Sequence, residues 1–222
     1  MSLTFYANLV SQPSRAVALF LKVNNIPHEF KFVDMVKGEH TSEVYEKLNP
    51  FKKVPIIDDN GFILRESVGI LRYLCRERNV PDHWYPKDSK QQARVDEYLE
   101  WQHLDTRASC AMFVQIKLLI PKITGIPADP EKVKKIEKRM KNTLSLIENI
   151  WLKDKPYLTG DKISIADLLG ACEVEQPRMA GYDARKDFPR IAAWLERVRN
   201  DLNPHYDEVH KAVGKIAAKS KL

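Results

Sequence analysis

Sulfur is scarce in this chain. Its 222 residues hold three cysteines, Cys75, Cys110 and Cys172. That odd number, without metal-ligand spacing or any Cys-x-x-Cys pair, excludes a disulfide-stapled scaffold, a zinc cluster and dithiol redox chemistry. No apolar run approaches the roughly 20 residues that span a bilayer, and the first residues lack the apolar stretch of a secretory signal. The expectation is a cytoplasmic protein with no membrane partner and no metal. Acid is in deficit: 30 Asp and Glu against 36 Lys and Arg give a net charge of +6 and a pI near 9.1, a balance that favours anionic small molecules. The series Lys132, Lys134, Lys135, Lys138 and Lys141 reads as a solvated helix face, so no nucleic acid is expected.

What is present suffices for real cores. Hydrophobic residues make up 44% of the chain, and its length accommodates one large or two modest domains. The most informative stretch is NPFKKVPIIDDNGFILRESVGILRYL, residues 49–74. Pro55 cannot donate a ladder hydrogen bond, so it belongs at a strand start, with a cis peptide bond after Val54 as the expectation. Val54 then keeps its N–H and C=O free to pair with an extended, peptide-like ligand. Asp58, Asp59, Asn60 and Gly61 supply a turn between the apolar runs 55–57 and 62–64, the pattern of a β-hairpin. Glu66 and Ser67 stand directly before Val68, Leu71 and Leu74, whose spacing predicts a helix. A helix start gathers unpaired N–H groups and positive partial charge, which suit a carboxylate, while Glu66 offers a seat for an ammonium group. Together they fit the end of a short peptide that bears both charges.

Upstream, LTFYA (Leu3–Ala7) reads as a strand, Pro13 sits in the first turn of a helix reaching about residue 25, and HEFKFV at 28–33 reads as a second strand. Strand, helix, strand, irregular stretch, hairpin, helix over residues 1–79 is the order of an α/β thioredoxin-like domain. Thioredoxin-type oxidoreductases carry Cys-x-x-Cys at the first strand-to-helix turn. Here the four residues are Ser11-Gln12-Pro13-Ser14, which excludes disulfide exchange. Ser11 falls on the loop at the helix start, and Ser14 reads as the residue that caps it. After a connector at 80–88 with Pro81 and Pro86, residues 89–222 read as an all-α domain. Ala93, Val95, Tyr98, Leu99, Trp101 and Leu104 predict a long helix ending at Ile120, before Pro121. Another opens at Pro130 and includes Trp151. Ser164-Ile165-Ala166-Asp167 has capping-box spacing, so Ser164 and Asp167 are read as a structural cap and not as catalytic residues.

With these residues in view the chain resembles a theta-class glutathione transferase. SQPSRA, KGEH, NPFKKVP, RES, ARVDEYLEWQH and ISIADL are similar, in order and spacing, to motifs of that class, and the similarity runs from Leu3 to about Val209. The resemblance implies the cytosolic glutathione transferase architecture, glutathione as co-substrate, and a homodimer. It makes Ser11 the catalytic hydroxyl. A free thiol has a pKa of about 8.5 and reacts as thiolate, so a hydroxyl donating to sulfur beside a helix N-terminus promotes the reactive form. By the same resemblance His40 and Lys53 meet the glycine carboxylate, Val54 and Pro55 the cysteinyl backbone, Glu66 and Ser67 the γ-glutamyl end, and Arg107 reaches the site from the second domain. On the residues alone Lys52 is an alternative to Lys53.

Leu9, Val10, Val36, Met112 and Ile116 are the expected lining of an apolar electrophile pocket, and Phe51 the expected anchor in a partner's helical domain. The implied reaction joins reduced glutathione to small hydrophobic electrophiles such as haloalkanes and epoxides, with reduction of organic hydroperoxides beside it. Vertebrate theta enzymes resemble this chain but continue past the position of Leu222 into a further helix, so a more open pocket is expected. Two other readings stay open: a noncatalytic, glutathione-dependent carrier of hydrophobic ligands, and a structural module of a larger assembly.

Overall fold

A computed structural model describes residues 3–219. Four strands, β1 (Leu3–Ala7), β2 (Glu29–Phe32), β3 (Ile56–Asp59) and β4 (Phe62–Arg65), form one mixed sheet in the order β2-β1-β3-β4. β1 runs parallel to β2 and antiparallel to β3, which pairs antiparallel with β4. Because side chains alternate along a strand, Leu3, Phe5 and Ala7 enter the main core while Tyr6 faces a smaller one. That second core joins Val33, Val54 and Ile56 to Tyr45 and Leu48 of α2 (Glu43–Leu48).

The hairpin strand extends to Asp59, two residues beyond the apolar run. Asn60 and Gly61 alone make the turn, with φ of 55° and 93°, as a two-residue hairpin turn with positive φ at both positions requires. Asp59 stays buried because Tyr73 Oη and Arg78 Nη2 donate to its carboxylate at 2.9 and 2.5 Å.

Helix α1 (Gln12–Val23) starts one turn earlier than Ser14 would place it. Ser11 is the N-cap residue, and Ser14 is fully buried inside the first turn, its hydroxyl without a hydrogen-bond partner among the described residues. Residues 14–21 are all buried, since α3 (Ser67–Glu77), α8 (Ile165–Glu175) and α10 (His205–Lys219) all pack on α1. The segment between α3 and α4 (Ser89–Gln102) is packed as well. Trp84 is buried, donates from Nε1 to Asn24 Oδ1 at 2.9 Å and meets Phe20 edge-on at 5.7 Å.

The long helix passes the expected stop. α4, α5 (Ala108–Val114) and α6 (Ile120–Thr124) are joined through π-type turns at His103–Arg107 and Gln115–Leu119, and the rod ends at Gly125, φ 71°. Pro121 follows a widened turn, where its ring and missing N–H disturb the ladder least. α7 (Pro130–Leu146), a further π-type turn at Ile147–Trp151, α9 (Pro189–Leu202) and α10 complete the helical domain.

Every residue of α8 is buried. Asp167 accepts from Ser164 N at 2.9 Å while Ser164 Oγ accepts from Ala166 N at 3.3 Å, forming the cap. The same carboxylate also accepts from Leu158 N and from Trp194 Nε1, each at 2.9 Å. Among the described residues no helix is long and apolar enough to cross a membrane.

Candidate active site

The strand-to-helix turn after β1 brings a hydroxyl to the head of α1. Ser11 has extended backbone, φ −77° and ψ 127°, and its N–H donates to Asn8 O at 2.9 Å. An N-cap serine ordinarily spends its oxygen on the N–H of the second or third helical residue, but Ser11 makes no such bond. Its hydroxyl is left for another partner beside the positive end of a 12-residue helix.

Next in sequence order comes the segment before β3. Val54-Pro55 is a cis peptide, Pro55 is buried, and neither N–H nor C=O of Val54 makes a backbone hydrogen bond among the described residues. The carbonyl of Lys53 is pinned twice, by Tyr45 Oη and by Asn49 Nδ2, both at 2.8 Å. Tyr45 and Asn49 therefore hold the cis-proline segment in place, and no pattern in the sequence marks them for that task.

The two lysines separate here. Lys52 adopts φ 54° and pairs with Glu46 at 3.0 Å, whereas Lys53 is exposed and has no carboxylate partner among the described residues. His40 is half-buried, with a buried Nδ1 that meets no partner among the described residues.

At the head of α3, Glu66 occupies a positive φ of 63°, a costly conformation for a residue other than glycine and one that gathers at functional sites. Glu66 is exposed, and Ser67 behind it is buried. Arg107 closes the gap between the domains. It lies in the π-type turn of the long helix, donates from Nε to Glu173 Oε1 at 2.8 Å and from Nη2 to Ser67 Oγ at 3.2 Å.

Sequence reasoning misses Arg15, although a guanidinium beside the apolar run AVALFL is itself a signal. Its side chain is fully buried. Nη1 donates to the carbonyls of Leu9 and Val10, and Nη2 to Cys172 O, all at 3.0 Å, with Gln176 Oε1 at 2.6 Å. Gln176 Nε2 in turn donates to Val10 O at 3.1 Å. The loop carrying Ser11 is thus clamped onto the end of α8.

Leu9, Val10 and Ile116 are partly buried against the main core, and Met112 is exposed. Val36 is 97% exposed and packs on neither core; it sits in a turn where Asp34 Oδ1 accepts from the N–H groups of Val36 and Lys37. Phe51 is 64% exposed on the turn before Lys52.

Protein thiols are not poised to react. Burial pushes Cys75 and Cys172 up to about 12 and raises Cys110 as well. Among the described residues no three His, Cys, Asp or Glu side chains gather to hold a metal ion.

A thioredoxin-like sheet with a cis-proline, a hydroxyl in place of the redox cysteines and a helical domain whose arginine reaches the head of α3 define a two-domain transferase fold. Residues 5–82 match the family model for the glutathione S-transferase N-terminal domain, and residues 108–201 match that for its C-terminal domain. The chain is 43% identical to bovine (Bos taurus) glutathione S-transferase theta-1 over 214 residues, which cover 96% of this chain and 89% of that protein. Human glutathione-S-transferase T1-1 in its apo form superposes with a TM-score of 0.93 at 41% identity, covering 97% of this chain and 91% of that one. The human theta-class enzyme in complex with the glutathione conjugate of 1-menaphthyl sulfate superposes with a TM-score of 0.94 at 39% identity, covering 100% and 91%. The chain belongs to the glutathione S-transferase family, within its theta class.

Proposed function

We propose that this protein joins reduced glutathione to small hydrophobic electrophiles, haloalkanes and epoxides foremost, and reduces organic hydroperoxides as a side reaction, working in the cytoplasm. The observation that carries the reading is the uncommitted hydroxyl of Ser11 at the head of α1. Donation from that oxygen to the tripeptide's sulfur, beside a helix N-terminus, stabilises the thiolate. Each pKa unit gained corresponds to roughly 1.4 kcal/mol, within reach of one charge-assisted hydrogen bond.

The cradle supports the same reading. The free backbone groups of Val54, beside cis-Pro55, suit the cysteinyl peptide unit. Glu66 and Ser67 at the start of α3 suit the γ-glutamyl ammonium and carboxylate, and Lys53 and His40 suit the glycine carboxylate. A relative 39% identical is a complex with a glutathione conjugate, which supports glutathione as co-substrate here. Leu9, Val10, Met112 and Ile116 remain the proposed wall of the electrophile pocket. The working unit is proposed to be a homodimer anchored by exposed Phe51; Phe51→Ser shifts it to monomer in sedimentation velocity, and an unshifted dimer removes Phe51 from that role.

The test is direct. Calorimetry with reduced glutathione should show binding, and ultraviolet difference spectra of the complex should show thiolate absorbance titrating below the pKa of the free thiol. A panel of an aryl halide, an epoxide, a small haloalkane and an organic hydroperoxide should show weak turnover of the aryl halide and better turnover of the others. No uptake of glutathione, or an unshifted sulfhydryl in the complex, overturns the reading.

A further inference from the structure

The buried carboxylate of Glu173 touches both halves of the site. It lies on α8 with no exposed surface. Its Oε1 accepts from Arg107 Nε at 2.8 Å, and its Oε2 accepts from Gln12 Nε2 at 2.9 Å. Gln12 directly follows Ser11, and Arg107 continues to Ser67 Oγ at 3.2 Å. One carboxylate therefore links the head of α1 to the head of α3 through the helical domain.

We propose that Glu173 is a positioning residue for this transferase, holding Arg107 and the Ser11 turn at a set separation so that sulfur and guanidinium face the substrate together. The inference rests on the glutathione reading above.

Stability does not call for a charge at this place. Replacing a buried ion pair by apolar residues of similar volume is often neutral or stabilising, and in some proteins buried polar or ionic groups are kept because they specify one geometry. Geometry is what the site needs. Arg107 has five N–H donors, and its Nε and Nη2 are engaged with Glu173 and Ser67. The Nη1 group makes no hydrogen bond among the described residues, and the side chain is 21% exposed. A planar fork fixed at one edge presents its other edge in a defined direction, which suits a substrate carboxylate or an anionic leaving group. On the other arm, Gln12 fixes the first turn of α1, next to the clamp that Arg15 and Gln176 place on Leu9 and Val10.

The experiment is a double-mutant cycle on the full chain. Glu173→Gln keeps the volume but takes the charge away from Arg107, and its new NH2 can be met by Gln12 only if that amide turns over to present Oε1, which disturbs the tether to the first turn of α1. In the wild-type background it should lower kcat/KM for conjugation about tenfold, the scale of one charge-assisted hydrogen bond. In an Arg107→Ala background it should cost less than in the wild type, because only the Gln12 arm is then left for Glu173 to act on. The thiol pKa of bound glutathione should also rise in Glu173→Gln, reporting the loosened Ser11 turn. Unchanged kcat/KM, or a loss that adds fully to that of Arg107→Ala, overturns the proposal. If Glu173→Gln does not fold, Gln12→Ala decides: a raised thiol pKa in the binary complex supports the tether, and an unmoved one overturns it. Wild-type protein that takes up no glutathione overturns the underlying reading, and this inference with it; wild-type uptake with an indifferent Glu173→Gln overturns the inference alone.

Discussion

The hydroxyl of Ser67 accepts a hydrogen bond from Arg107 Nη2 at 3.2 Å, so the head of α3 touches a guanidinium carried by the long helix of the other domain. Ser67 is buried and Arg107 half-buried, and Glu173 holds the guanidinium from behind. Arg107→Ala should therefore lower kcat/KM about tenfold or more. Arg107→Lys should not restore it, because an ammonium cannot reproduce the fork. Steady-state kinetics with varied glutathione and varied electrophile decide this; unaltered turnover in Arg107→Ala removes the residue from the site.

Ser11→Ala should separate chemistry from binding. The hydroxyl makes no cap bond, so its loss leaves α1 intact and the stability close to that of the parent. Conjugation should fall roughly ten- to a hundredfold and the bound thiol should move back toward about 8.5, while calorimetric affinity for glutathione stays nearly unchanged. A carrier protein would be indifferent to the same substitution, so retained function in Ser11→Ala favours that alternative.

Asp167 works on stability and not on the reaction. Burial raises its carboxyl, and Leu158 N, Trp194 Nε1 and Ser164 N and Oγ all donate to it. Asp167→Ala strands those donors in the core and should cost about 3 kcal/mol or more, above the cap term alone. Urea unfolding measures it; a loss of under about 1 kcal/mol would contradict the structural role.

Acid should weaken the fold in two stages. Burial, with Arg15 and Arg178 adding positive charge, lowers the His210 imidazole to about 4 in spite of Glu175 and the Tyr206 carbonyl. The unfolded chain takes up that proton near 6.5 and the native one does not, so stability falls as pH drops from about 6.5 to about 4. The loss is on the order of 3 kcal/mol. Burial alone would raise Glu175, but Arg185, His210 and Arg178 bring it down to about 2, so a second loss follows between about 4.5 and 2. His210→Gln should flatten the first stage and narrow the second without abolishing it, because Arg185 and Arg178 still hold Glu175 down when the His210 charge is gone. Urea midpoints at stepped pH read both stages, and an unaltered slope above pH 4.5 in the variant refutes the assignment.

Local chemistry made the fold legible. The Asn60-Gly61 turn, the proline after Val54, the hydroxyl-to-carboxylate spacing of Ser164 and Asp167 and the missing cysteines at 11–14 each act within a few residues, where backbone sterics and caps operate. The cap of α1 was not legible in this way, because Ser11 and Ser14 offer the same chemistry. Only the packing of α1 against α3, α8 and α10 settles that Ser14 lies inside the helix and Ser11 at its head. The π-type turns that carry the long helix past Pro121 likewise leave no periodic trace.

Sequence specified which groups exist and in what local order: a serine at a helix start, a strand-breaking proline, paired charges before a second helix. Folding set what faces what. Gln12 and Glu173 lie 161 residues apart, as do Arg15 and Gln176, and nothing in either neighbourhood specifies its partner. Burial made the difference, since a guanidinium or carboxylate withdrawn from water must find compensating partners, and only the folded core brings those partners within hydrogen-bond reach.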